Sequence, residues 1–69
     1  MDIRLHDQGT LIGFTLISDT AREFFTENVY SEDWQWLGPT LWVDQREARN
    51  LIQAVIDQGF RLEVGRKVP

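Results

Sequence analysis

Residues 44–64 read DQREARNLIQAVIDQGFRLEV, and the apolar period changes two-thirds of the way along. Ala48, Leu51, Ile52, Val55 and Ile56 recur at i, i+3, i+4, i+7 and i+8, which lines them up as one stripe of an α-helix. Asp44 followed three residues later by Glu47 matches a capping box, with Asp in place of the usual Ser or Thr. Gly59 stands where a left-handed C-cap belongs. Past the glycine the period drops to two: Phe60, Leu62 and Val64 alternate with Arg61 and Glu63, the pattern of a strand with one side buried. A one-sided helix running into a one-sided strand implies a layered domain built from both kinds of element.

Upstream of this stretch, Gly38-Pro39 marks a turn, and Leu41 and Val43 alternate with Trp42 in a short strand over Thr40 to Val43. Ser18 and Asp19 are good N-cap residues, and Ala21, Phe24, Phe25 and Val29 recur at helical spacing, predicting a first helix from about Thr20 to Val29. Asp2 to His6 places Ile3 and Leu5 on one face, Asp7-Gln8-Gly9 is a turn signal, and Thr10 to Ile17 completes a β-hairpin. In that second strand Ile12, Phe14 and Leu16 share one side and Leu11, Gly13, Thr15 and Ile17 the other, so it is central in its sheet or otherwise covered. Tyr30 to Pro39 has no regular period.

The order is ββαβαβ. It predicts an α+β fold in two layers: one four-stranded mixed sheet with two helices on one face, residues 1–65 forming a single domain and residues 66–69 a polar tail. Short connections around the second helix favour a right-handed crossover that makes the third and fourth strands parallel. The opposite face of the sheet is then left without a covering layer.

The 69 residues include no cysteine, which removes disulfides, thiolate nucleophiles and cysteine-based zinc sites and fits a reducing cytoplasm. No apolar run is long enough to span a bilayer, and no secretory signal pattern opens the chain. The net charge is −4, which argues against direct binding of nucleic acid, where Lys and Arg must gather against phosphates. Eight acidic and two basic residues fall between Met1 and Gln45, against three acidic and five basic from Arg46 onward. Such asymmetry can guide association, including with a second copy of the chain.

The uncovered sheet face holds the first candidate site. If Leu41 and Val43 face the helices, Trp42 faces away from them beside Leu11 or Ile17, and an indole among aliphatic side chains suggests a protein interface; the plainer alternative lays the Arg4 and Arg61 stems over the ring. A second candidate is the aromatic segment holding Tyr30, Trp34 and Trp36, either a lid over the open end of a small core or a contact surface. A third is an acidic ridge of Asp19, Glu23, Glu27, Glu32 and Asp33, which could imitate a run of phosphates before a basic groove, or be an ordinary solvated face interrupted by Arg22. His6, the only histidine, has neither a second histidine nor a thiol to form a zinc site or catalytic pair, and reads as a surface strand residue. Ser18 and Ser31 lack a nucleophile motif, and the glycines make no phosphate-binding pattern. No catalytic, cofactor or metal residue is assigned, and the chain is not expected to be an enzyme.

Gly13-Phe14-Thr15, Trp34-Gln35-Trp36-Leu37-Gly38, Leu41-Trp42-Val43-Asp44 and Gly59-Phe60 together resemble short uncharacterised proteins encoded by bacterial chromosomes and their phages or plasmids. The likeness spans most of the chain and rests on aromatic and glycine spacing. It implies a bacterial cytoplasmic setting and a mobile-element origin, and transfers no functional residue. The functional expectation is a non-enzymatic interaction or regulatory module that associates with itself or another protein. The alternative is a phage-type inhibitor that presents the acidic ridge to a host nucleic-acid-binding or defence protein.

Overall fold

Both halves of the decisive stretch form the elements their periods predict. The computed structural model describes residues 1–65, so the polar tail expected over 66–69 lies outside the described residues. The elements are β1 (Ile3–Asp7), β2 (Leu11–Leu16), α1 (Asp19–Asn28), a 3₁₀ turn (Asp33–Gln35), β3 (Trp36–Leu37), β4 (Thr40–Asp44), α2 (Gln45–Asp57) and β5 (Leu62–Val64).

Each helix is bounded by local chemistry. The Ser18 hydroxyl accepts from the Ala21 N–H to cap α1 (3.1 Å), and the Asp44 carboxylate accepts from the Glu47 N–H to cap α2 (2.8 Å), each satisfying a donor that the first helical turn leaves unpaired. At the far end of α2 the Gly59 N–H donates to Ile56 O and the Phe60 N–H to Val55 O. With Gly59 at φ +86°, these bonds form a Schellman motif. The turn spends Phe60 before the strand begins: its ring lies edge-on to Phe24 at 5.4 Å, and β5 starts at Leu62.

The sheet has five strands in the order β3-β4-β2-β1-β5, which corrects the expected count of four. The additional strand, β3, is two residues long and pairs antiparallel with β4 through Trp36↔Leu41 and Leu37↔Thr40. Gly38 and Pro39 form the two-residue turn between them, and Gly38 supplies the positive φ of +60° that such hairpin turns need. β2 lies at the centre, as its two-sided apolar pattern suggests. The crossover expectation holds in direction only. β4 and β5 run parallel to each other, since β2 is antiparallel to both β4 and β1 while β5 is parallel to β1, yet the whole hairpin lies between them.

Ile3 and Leu5 of β1, Phe14 and Leu16 of β2, and Leu41 and Val43 of β4 share one side of the sheet. They form a single buried cluster with Ala21 and Phe25 of α1 and Ala48 and Val55 of α2. Both helices therefore dock on the same face, and the alternate residue of each strand faces the other way.

The helix-free face as candidate functional site

Strand register arranges the helix-free face in rows. One row crosses all five strands as Glu63, Arg4, Thr15, Thr40 and Leu37. The next runs from His6 through Gly13 to Trp42, on the three central strands. Gly13 explains where the indole lies: a Cβ built on it would fall 2.8 Å from Trp42 Cη2, 2.9 Å from Trp42 Cζ3 and 3.0 Å from Thr40 Cγ2. The absent side chain leaves a notch, and the ring lies down across the backbone of the central strand, a common reason for a glycine inside a sheet.

Trp42 is therefore on the bare face, half-buried rather than upright. It rests on Gly13 and beside His6, whose ring centroid is 6.3 Å away. The Arg4 guanidinium is held by Glu63 at 2.8 Å. With both side chains more than two-fifths exposed, that pair adds at most about 1 kcal/mol to stability. His6 Nε2 lies 2.9 Å from Thr15 Oγ1, and Thr15 Oγ1 lies 2.6 Å from Thr40 Oγ1, so three side chains form one hydrogen-bonded chain across β1, β2 and β4. His6 is thus half-buried in a network, more enclosed than a simple surface residue. Leu11 and Ile17 are exposed near the ends of β2 and Leu37 at the β3 edge, flanking the centre with aliphatic surface.

The aromatic segment divides. Trp36 packs against the core cluster, and its Nε1–H donates to Ser31 Oγ at 2.9 Å, satisfying the one polar atom a partly buried indole carries. Trp34 and Tyr30 are 81% and 80% exposed. The Tyr30 hydroxyl donates to the Glu32 carboxylate, which holds its proton and raises its pKa. Gln35, which no sequence pattern singled out, anchors the segment: its Oε1 accepts from the Glu32 N–H (2.8 Å) and its Nε2 donates to Trp42 O (3.3 Å).

The acidic residues differ in their surroundings. Asp19 is paired with Arg22, Glu32 accepts from Tyr30, and Asp33 opens the 3₁₀ turn, which leaves Glu23 and Glu27 exposed along α1. Among the described residues no group of three or more His, Cys, Asp or Glu converges as a metal site, and no helix is long and apolar enough to cross a membrane. Comparison with protein-family models, curated proteins and solved structures finds no match to this chain.

Proposed function

We propose that the chain is a non-catalytic association module that pairs face to face with a second copy of itself through the helix-free side of its sheet. The observation that carries this reading is the Trp42 indole, laid over Gly13 next to the central strand of a five-stranded sheet whose helices both sit on the opposite side. Aromatic anchors at the middle of a face, ringed by weaker contacts, are how interfaces concentrate their energy.

Three features support a second copy as the occupant. The chain carries a net charge of −4, so most of its surface repels a twin. In the row that crosses all five strands Arg4 and Glu63 neutralise each other, which leaves the exposed Asp44 at the end of β4 as a further charge on this side, so the middle of the face carries little of that repulsion. Edge-to-edge pairing is poorly served, since β3 has two residues and β5 three, and short edge strands are a standard protection against strand addition. Small cores also gain from self-association.

The dimensions set the strength. The 21 strand residues, at about 4.8 Å spacing and about 3.3 Å rise, give a face of roughly 330 Å² per copy. Doubling this gives about 670 Å² for the pair, below the ~1,200–2,000 Å² typical of stable complexes. The dimer is accordingly a small, reversible one. The acidic-ridge alternative, an inhibitor of a basic host protein, draws less support, because two of its five carboxylates are already engaged.

Analytical ultracentrifugation from 10 µM to 1 mM tests the reading. The expected result is a concentration-dependent monomer–dimer equilibrium that Trp42→Arg abolishes while far-UV circular dichroism keeps its folded form. A wild-type chain that stays monomeric at 1 mM, or a dimer untouched by Trp42→Arg, overturns it.

A further inference from the structure

The two helices end differently. The Schellman motif at Gly59 uses the Val55 and Ile56 carbonyls of α2. After α1, Val29 leaves the helix in an extended conformation with φ −116° and ψ 118°, and its N–H donates to Phe25 O. Among the described residues no backbone N–H donates to the carbonyls of Thr26, Glu27 or Asn28, and the last turn of α1 holds no basic residue. The negative end of this helix is therefore open, with acceptors that its own chain does not fill.

A cleft beside that end is lined by Thr26, Glu27 and Asn28 from the last turn, Tyr30 and Ser31 from the segment after it, and Trp36 of β3. The side-chain donors of four of these are engaged inside the chain: the Thr26 hydroxyl donates to Arg22 O, Asn28 Nδ2 to Phe24 O, the Tyr30 hydroxyl to Glu32 and Trp36 Nε1–H to Ser31 Oγ. What the cleft offers is acceptors and rings. The exposed Glu27 meets no Lys or Arg among the described residues, where the ion pairs are Arg4–Glu63 and Arg22–Asp19. The Tyr30 ring is exposed while its hydroxyl is tethered. We infer that this cleft receives an arginine side chain from a basic segment of another protein. A guanidinium matches it in each respect: it carries donors and no acceptor, its planar fork can serve a carboxylate and carbonyls together, and its face stacks on an aromatic ring. The net charge of −4 draws a cationic partner toward the chain. Trp36 lies opposite Leu41 on the helix side of the sheet, so the cleft is apart from the face proposed to pair, and the inference stands without that pairing.

Amide NMR of the isotope-labelled chain, titrated with a glycine-arginine-glycine tripeptide blocked at both ends, provides the test, and the same spectra show whether each variant is folded. The expected result is saturable shifts of the Thr26–Ser31 amides and the Trp36 indole N–H, with a Kd in the millimolar range, as one charge-assisted contact and one cation–π contact give. Citrulline in place of arginine keeps the shape and removes the charge, and should bind at least about tenfold more weakly; lysine, a point charge without the planar fork, should bind at least about twofold more weakly. Glu27→Gln and Tyr30→Ala should each weaken arginine binding at least about threefold, and Glu23→Gln, one turn upstream, by less than about twofold. No saturable binding, equal shifts from the arginine and citrulline peptides, lysine bound as tightly as arginine, shifts centred away from this end of α1, or a loss from Glu23→Gln as large as from Glu27→Gln overturns the inference. None of these outcomes bears on face pairing.

Discussion

Replacing Gly13 by alanine should destabilise this protein, against the usual effect of that change in a strand. Glycine within a strand is worse than alanine by about 0.5–1 kcal/mol, because its unfolded chain has more freedom to lose. Here the new methyl would meet the Trp42 ring at 2.8 and 2.9 Å. Ordinary carbon contacts begin near 3.5 Å, so the ring edge must lift by roughly 0.6–0.7 Å, breaking its contact with the strand below. Forcing a methyl into a filled site costs about 1–3 kcal/mol. The difference leaves a net loss of about 1 kcal/mol, or roughly 4–8 °C in Tm for a domain of this size. The decisive measurement is a double-mutant cycle with Trp42→Ala, followed by urea unfolding under circular dichroism at low micromolar concentration to keep association out of the reading. With the indole gone, the same Gly13→Ala change should turn neutral or stabilising by up to about 0.5 kcal/mol, held down by the remaining Thr40 methyl contact. If Gly13→Ala stabilises the chain while Trp42 is present, or has the same effect in both backgrounds, the ring does not lie over the central strand.

Two further outcomes follow from contacts away from that notch. Trp36→Ala should cost about 1.5–3 kcal/mol, from lost packing and an orphaned Ser31 hydroxyl, whereas Trp34→Ala should fall within about 0.5 kcal/mol of wild type; thermal melts of the two variants check this contrast. The Asp2 carboxylate accepts from the Arg61 N–H at 2.9 Å, which with the Ser18 side chain holds its pKa below the ordinary 3.8. A depressed carboxylate contributes stability above its unfolded value and loses it as pH falls through its folded one. Urea midpoints of wild type and Asp2→Asn should therefore differ by a constant amount from pH 7 to 5 and converge below pH 4; a gap that widens on acidification would contradict the assignment.

How far the chain could be read depended on the range of each interaction. The second helix was legible to the residue at its N-cap and C-cap, because Asp44, the 3.6-residue stripe and Gly59 act within a turn or two of where they stand. β2 could be recognised as central because both of its sides are apolar, and the bare placement of Trp42 followed from the alternation with Leu41 and Val43. β3 could not be read: two residues have no period, and Trp36 and Leu37 are a strand only because Leu41 and Thr40 lie opposite. The partner of β5 was hidden for a similar reason, since a short crossover favours adjacent strands and nothing near Leu62 reveals that β1 and β2 occupy the space between. In the candidate site, the clue to the Trp42 notch was present in Gly13, on the correct side of β2, but joining a strand glycine to an indole 29 positions away requires the register. The His6, Thr15 and Thr40 chain likewise exists only across three strands.

The pairing of β1 with β5 joins Ile3 to Leu62 and Leu5 to Val64, so one flank of β1 is covered by a strand synthesised after both helices. While a ribosome is still making residues beyond α2, β1 has its hairpin partner on one flank and open backbone donors and acceptors on the other. Three residues then complete the ladder. A nascent chain stalled or cleaved before Leu62 would keep both helices and most of the apolar cluster yet expose a five-residue edge to any neighbouring strand, which makes the integrity of this short segment the dividing line between a well-behaved domain and an aggregation-prone fragment.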